Sequence, residues 1–143
     1  MAYLLDTNVV SELRKTKTRR VDRNVYRWAK GVPASSMYLS VISVLELELG
    51  VLLLERRDKS QGSILRSWFE KRVLPAFSEQ ILPVDIQVAR KAASLHVPNP
   101  CSHRDAMIAA TALVHSLTVV TRNTADFERS GAALLDPWLL KTL

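Results

Sequence analysis

Residues 2–14 read AYLLDTNVVSELR, a short apolar run from Ala2 to Leu5 that stops at Asp6 and passes straight into helix-forming sequence. The run has the length of a strand, and Thr7 or Asn8 can cap a helix from Val9 to about Arg14. A strand that turns directly into a helix leaves its last side chain at the sheet edge, and here that side chain is a carboxylate.

The same alternation recurs along the chain. A helix is expected from Asp22 to Lys30, stopped by Gly31 and Pro33, followed by a strand around Met37 to Leu39. Ser43 to about Arg57 is Leu- and Glu-rich, too long for a strand and apolar nearly all round, which predicts a largely buried helix. Another helix is expected over Ser60 to Val73. A short strand follows at Ile81 to Val84, then a helix from Ile86 to His96 with Asp85 as its cap. Beyond Pro98 and Pro100 the pattern predicts a helix from Ser102 to about Ser116, a β-branched strand at Thr118 to Thr121, and a last strand at Ala133 to Leu135. Strands separated by helices need crossover connections, so the expected fold is an α/β sandwich around a parallel sheet.

The totals fit one domain over residues 1–143. Hydrophobic residues make up 48% and charged residues 24%, ordinary globular usage, and 4 Gly and 6 Pro leave little room for linkers. The longest apolar stretch, AMIAATALV at Ala106 to Val114, is far short of the roughly 18 residues of a spanning helix. No secretory leader is recognisable in MAYLLDTN, so the expected location is the cytoplasm, with no membrane partner. The single cysteine, Cys101, can form neither an internal disulfide nor a Cys-rich zinc site and reads as a small hydrophobe.

Twenty Lys and Arg stand against 14 Asp and Glu, a formal charge of +6 with a pI near 9.8, which suits a polyanionic partner. Between Arg14 and Lys30 the bases Arg14, Lys15, Lys17, Arg19, Arg20, Arg23, Arg27 and Lys30 face one acid, Asp22. That stretch reads either as a phosphate track or as a solvated face.

Four acids stand out. Asp6 and Asp126 follow strands, and in open parallel sheets ligand sites form beyond the carboxyl ends of the strands. Glu46 interrupts VISVLELEL and Asp105 opens DAMIAATAL, two otherwise apolar helices. Singly each has a structural explanation: Asp6 and Asp126 as turn residues, Ser43-x-x-Glu46 and Ser102-x-x-Asp105 as capping boxes. Jointly they raise one another's pKa and require a compensating cation. Mg²⁺ or Mn²⁺ prefers such hard oxygen donors, and such a site favours phosphodiester hydrolysis, with the basic residues holding the nucleic acid. His96, His103 and His115 show no ligand-like arrangement.

YLLDTNVVSELRK, SVISVLELELGV and DAMIAATALVHSLTVVTRNTADF together resemble the PIN-domain family, specifically toxins of the VapC and FitB type. The resemblance spans most of the chain, and only about Val51 to Glu79 carries little of it. It implies a three-layer α/β/α sandwich with a mainly parallel central sheet. It also implies a Mg²⁺- or Mn²⁺-dependent endoribonuclease acting on RNA such as tRNA or rRNA, and serving as the toxin of a type II toxin–antitoxin pair. A VapB-like antitoxin, a homodimer, and operator DNA reached only through the antitoxin come with it. Carried over by motif, Asp6, Glu46, Asp105 and Asp126 form the metal-binding quartet, with Thr7, Asn8, Thr121 and Asn123 as hydrogen-bonding support. Arg14, Lys15, Lys17, Arg19 and Arg20 are the candidate RNA contacts.

Glu48 lies about 200° around the helix from Glu46, so only one of them faces the centre, and the family spacing before Gly50 selects Glu46. Asp85 reads as an N-cap, and His103 and Arg104 in CSHRD match no pattern. Two rivals remain on the sequence alone: a receiver-like Mg²⁺-binding signalling domain and a catalytically silent nucleic-acid-binding module. A receiver needs adjacent acids after its first strand and a Lys after its fifth, whereas Asp6 stands alone and VVT is followed by Arg122.

Overall fold

The computed structural model describes residues 1–140, so positions 141–143 of the domain expected over 1–143 lie outside the described residues. Five strands, β1 (Tyr3–Leu5), β2 (Met37–Ser40), β3 (Ile81–Leu82), β4 (Thr118–Val120) and β5 (Leu134–Leu135), form one sheet in the order β3-β2-β1-β4-β5. All four pairings are parallel, with Tyr3 opposite Met37 on one side and Thr118 on the other. Every strand therefore ends on the same edge. The chain builds outward from β1 through β2 to β3, then returns to the other side of β1 for β4 and β5. The order reverses between β1 and β4, which is where open α/β sheets leave a crevice.

Helices cover both faces. Leu5, Met37, Leu39 and Val120 pack with α1 (Thr7–Leu13), α2 (Arg23–Lys30), α3 (Val41–Arg57) and the segment around Phe69 and Val73. Leu4, Val119 and Leu117 pack with Ile108, Ala109 and Ala112 of α7 (His103–His115), against which α6 (Ile86–Leu95) lies. Leu4 and Leu5 are both fully buried, one to each face, which is why β1 reads as a continuous apolar run with no polar alternation. The three layers and the parallel sheet agree with the expected fold.

Three local expectations are corrected. The cap of α1 is Asp6, one residue before Thr7 and two before Asn8: its carboxylate accepts from Thr7 N at 2.8 Å and its carbonyl from Val9 N at 3.0 Å. Helix α3 starts at Val41, with the Ser40 hydroxyl accepting from Ile42 N at 3.0 Å. The Ser43–Glu46 capping box is therefore not formed, and Ser43 Oγ is buried without a hydrogen-bond partner.

The helix expected over Ser60 to Val73 is three pieces: α4 (Lys59–Trp68), a π-helical turn Phe69–Val73, and α5 (Leu74–Ala76). Pro75 has no N–H to donate and its ring crowds the carbonyl four residues back, so the ladder widens just ahead of it. Helices α3 and α4 pack tightly as a hairpin, because a Cβ at Gly62 would stand 2.5 Å from Glu55 Cα. Arg66 clamps the pair, donating to Glu48 at 2.6 Å and to Glu55 at 2.8 and 3.1 Å.

Candidate active site

Asp6 ends β1 at the reversal point of the sheet. Its backbone N donates to Val120 O at 2.9 Å, which ties it to the end of β4, and only 8% of the residue is exposed. Thr121, fully buried one step beyond β4, donates its hydroxyl to Asp6 Oδ2 at 2.8 Å and accepts from Asn123 N at 3.0 Å. Asn8 Nδ2 reaches Asp6 Oδ2 and Thr121 Oγ1, both at 3.4 Å, while its Oδ1 accepts from Arg122 N at 3.3 Å. The side chains that the parallel register brings together therefore sew the two strand ends to each other.

Glu46 reaches this point from α3. Thr7 donates its hydroxyl to Glu46 Oε1 at 2.8 Å, and Arg104 Nη1 lies 3.7 Å from Oε2. Asp105 comes from the first turn of α7, whose cap is Ser102, accepting from Asp105 N at 3.4 Å. Asp6, Glu46 and Asp105 line one pocket of about 470 Å³, together with Lys15, Asn123 and Arg122. Asp126, exposed in the turn Thr124–Asp126, lines a smaller hollow of about 170 Å³ that shares Asp105 with the first.

The four carboxylates feel one another. Asp105 is pushed up to about 6, first by burial and then by the charges of Asp6, Asp126 and Glu46. Asp6 is also raised, chiefly by burial, with Glu46 and Asp126 adding to it, while the hydrogen bonds from Thr121 and Thr7 N pull the other way. As placed, no three His, Cys, Asp or Glu side chains among the described residues are arranged to hold a metal ion. The carboxylates stand within electrostatic reach of one another, and a cation bound among them would offset the charge each adds to the others. The set nevertheless fits a hard dication, because every acidic donor is a carboxylate oxygen and no thiolate or imidazole lines the pocket among the described residues.

The remaining expectations separate clearly. Glu48 turns away to Arg66, as its angle from Glu46 requires. Asp85 caps α6, accepting from Val88 N at 2.9 Å. His103 lies against His96, ring centroids 4.8 Å apart. Asn123 supports the site through its backbone, since its N donates to Thr121 and its carbonyl accepts from Asp126 N at 3.0 Å. The basic stretch does not form one face. Lys15 borders the acidic pocket, Arg14 and Lys17 line a different groove, Arg19 borders a hollow with Arg23, and Arg20 is exposed.

Sequence reading missed Arg104 and Glu12. Arg104 was visible only as the neighbour of Asp105, and its partner Glu46 is 58 positions away. Glu12 is 8% exposed and accepts from Lys15 Nζ at 3.0 Å and from Asp22 N at 2.8 Å, which fixes both ends of the basic turn beside the pocket. Its i,i+3 spacing to Lys15 was the one available signal.

A fully parallel α/β sheet with carboxylates gathered at its reversal point, held by threonine and asparagine, is the architecture of a PIN domain. The PIN domain family model matches residues 3–132, and the chain belongs to that family. It is 41% identical over 142 residues to Toxin FitB of Neisseria gonorrhoeae, covering 94% of this chain and 97% of that protein. It is 36% identical over 140 residues to VapC ribonuclease Y4jK of Sinorhizobium fredii, covering 94% and 96%. A chain in the structure of FitAB bound to IR36 DNA fragment superposes with a TM-score of 0.86 at 35% identity, covering 98% of each. The relatives place the chain in the VapC and FitB branch, a ribonuclease toxin family, and the receiver-like alternative falls away.

Proposed function

We propose that this protein is the toxin of a type II toxin–antitoxin pair and hydrolyses RNA phosphodiester bonds endonucleolytically, with Mg²⁺ or Mn²⁺ held by Asp6, Glu46, Asp105 and Asp126. The observation that carries the reading is the meeting of Asp6, Glu46 and Asp105 in one pocket at the reversal point of the sheet, where burial and the neighbouring carboxylates raise Asp105. These three come from separate chain segments, and Asp126 lines the adjoining hollow that shares Asp105, in a domain that is otherwise basic. Such crowding destabilises the empty fold and is retained where a cation offsets it.

The bound ion would supply a more acidic water and charge neutralisation at phosphorus during in-line displacement. The chain's own residues do the rest. Thr121 and the Thr7 amide hold Asp6 at a fixed rotamer, and the Thr7 hydroxyl aims Glu46. Arg104, beside Glu46, can partner a phosphate oxygen once Glu46 is engaged elsewhere. Lys15 and Arg122 line the pocket rim as further cations for the backbone of the substrate.

The same reading carries a VapB-like antitoxin, a homodimer, operator DNA contacted only through the antitoxin, and residence in the cytoplasm. Leu45, Leu49 and Leu52 stand exposed on α3 at helical spacing, the kind of apolar surface that protein partners cover. None of the helices among the described residues is long and apolar enough to cross a membrane.

Cleavage of total bacterial RNA by the purified protein, with and without Mg²⁺ or Mn²⁺, tests the proposal. Asp6→Asn and Asp105→Asn are each expected to lower the rate by about 10³-fold, the loss of several kcal/mol of charge stabilisation. Metal-independent cleavage, or full activity in both variants, would refute it. RNA binding without cleavage in any divalent metal would instead favour the silent nucleic-acid-binding module.

A further inference from the structure

An acidic pocket repels the polyanion it is meant to cut until its cation is bound, so the substrate needs a hold elsewhere. A second groove, of about 550 Å³, runs between the 3-10 turn Arg14–Thr18 and the segment formed by α4 and the π-helical turn. Arg14 and Lys17 line it from the first of these, Lys71 and Arg72 from the second. Trp68 belongs to the lining as well, and the Arg14 guanidinium lies over its ring at 5.9 Å. No carboxylate is among the described residues lining the groove, which otherwise shows the hydroxyls of Thr18, Ser63 and Ser67 and the exposed Ile64.

The neighbours of these cations are paired. Arg66, on the same helix as Trp68, is taken up by Glu48 and Glu55, and Lys15 by Glu12. Among the described residues Arg14, Lys17, Lys71 and Arg72 make no ion pair, so four unneutralised charges face one cleft. The acid on these elements, Glu70 of the π-helical turn, lies 4.0 Å from Arg66 and is not in the groove lining. An aromatic ring with a guanidinium over it, ringed by cations and hydroxyls, matches an unpaired base and its phosphates better than an acidic peptide, which has no flat face to offer. The groove also adjoins the pocket through one turn of chain: Arg14 and Lys17 face the groove, while Lys15 between them lines the pocket of Asp6 and Glu46.

We infer that this groove binds the single-stranded flank of the RNA, phosphates on Arg14, Lys17, Lys71 and Arg72 and a base against Trp68, while the scissile bond lies in the acidic pocket. The inference rests on the nuclease reading above for its substrate. It assigns Trp68, Lys71 and Arg72, which lie in the part of the chain that carried least sequence signal.

The test is equilibrium binding of the full chain to a labelled oligouridine of about 12 nucleotides in EDTA, so that cleavage plays no part. Lys71→Gln with Arg72→Gln is compared with Arg90→Gln with Lys91→Gln, an equal loss of charge on α6 across the sheet. The groove variant is expected to bind about tenfold or more weakly, with its log–log salt slope shallower by about 1.4 for two lost phosphate contacts. The control should keep the slope of the unsubstituted protein. With a long RNA substrate the groove variant should show a raised KM and an unchanged kcat, and with a dinucleotide no change at all.

Equal weakening in both variants, or none in the groove variant, overturns the inference. So does unchanged RNA affinity accompanied by lost binding of the cognate antitoxin, which would assign the groove to a protein partner. Metal-dependent cleavage that dies in Asp105→Asn alongside an inert groove removes this inference alone. A groove that binds RNA in a protein that never cleaves removes the nuclease reading alone.

Discussion

The two halves of the carboxylate cluster are built on different terms. Asp6 and Glu46 are fastened before any ligand arrives: Asp6 accepts from Thr121, the Thr7 amide and Asn8, and Glu46 accepts from Thr7. Asp105 and Asp126 have no hydrogen bond to their carboxylates among the described residues, and Asp126 is exposed. Asp6 follows β1, where register ties it to the end of β4, and Glu46 lies on α3, where the hydroxyl of neighbouring Thr7 holds it. The second pair comes from a helix start and a turn. The difference teaches that hydrogen bonds fix one half of the cluster and leave the other half free to adjust, which under the proposed metal reading is the half a cation would draw in.

The largest effect should come from adding the ion. A divalent metal that binds only the folded state at 100 times its Kd stabilises by about 2.7 kcal/mol, a rise of several degrees in Tm for a domain of this size. Mn²⁺ or Mg²⁺ titrated against thermal unfolding is expected to give that rise in the unsubstituted protein and to lose most of it in Asp105→Asn. An equal rise in both would show that the second half of the cluster takes no part. Next in size is Thr121→Val, which keeps the shape and removes the donor to Asp6. Leaving a buried carboxylate short of a partner costs about 1–3 kcal/mol of stability. Loss of such supporting hydrogen bonds weakens metal affinity by about 10- to 100-fold. Calorimetric titration of the variant with Mn²⁺ measures the second number, and unchanged affinity would mean that Asp6 needs no help to hold its place.

The same contrast explains what could be read from the chain. Asp6 was legible because an apolar strand ended on it, and Asp105 because it opens the otherwise apolar DAMIAATAL, although its place at a helix start has a capping explanation when taken singly. Both are local signals. The start of α3 was expected at Ser43 and falls at Val41, because Ser40 and Ser43 are both good caps and the choice between them fell to the end of β2, which no local rule fixes. Glu12 and Arg104 escaped for the same reason, as their partners Asp22 and Glu46 are brought to them by the fold. The basic stretch looked like one surface in one dimension. A 3-10 turn, with Arg19 in the left-handed region at φ 58°, points its cations in three directions.

A smaller effect separates the halves by pH. In a metal-free protein the Asp105 carboxyl, raised to about 6 in the fold, still holds its proton where an unfolded chain has lost it. The unfolded state then binds fewer protons, so this group's share of stability falls as pH rises from about 4 to 6 and stays lost above that. The difference in Tm between Asp105→Asn and the unsubstituted protein, in EDTA, should therefore grow across that window in favour of the variant. A flat difference would mean that the four charges do not meet in solution.

The smallest effect, and the sharpest probe of the fastened half, is at Thr7. Its backbone amide serves Asp6 whatever the side chain is, so substitution isolates the hydroxyl that aims Glu46. Glu46 is partly solvated and water can replace a lost donor, which limits the cost of Thr7→Val to about 1.5 kcal/mol, near tenfold in kcat/KM. Thr7→Ser retains the hydroxyl and should recover most of that rate, with Tm little changed in either variant. If valine and serine behave alike, Glu46 is oriented by Arg104 or by the ion instead of by Thr7, and the rigid half of the site shrinks to Asp6 and the residues around it.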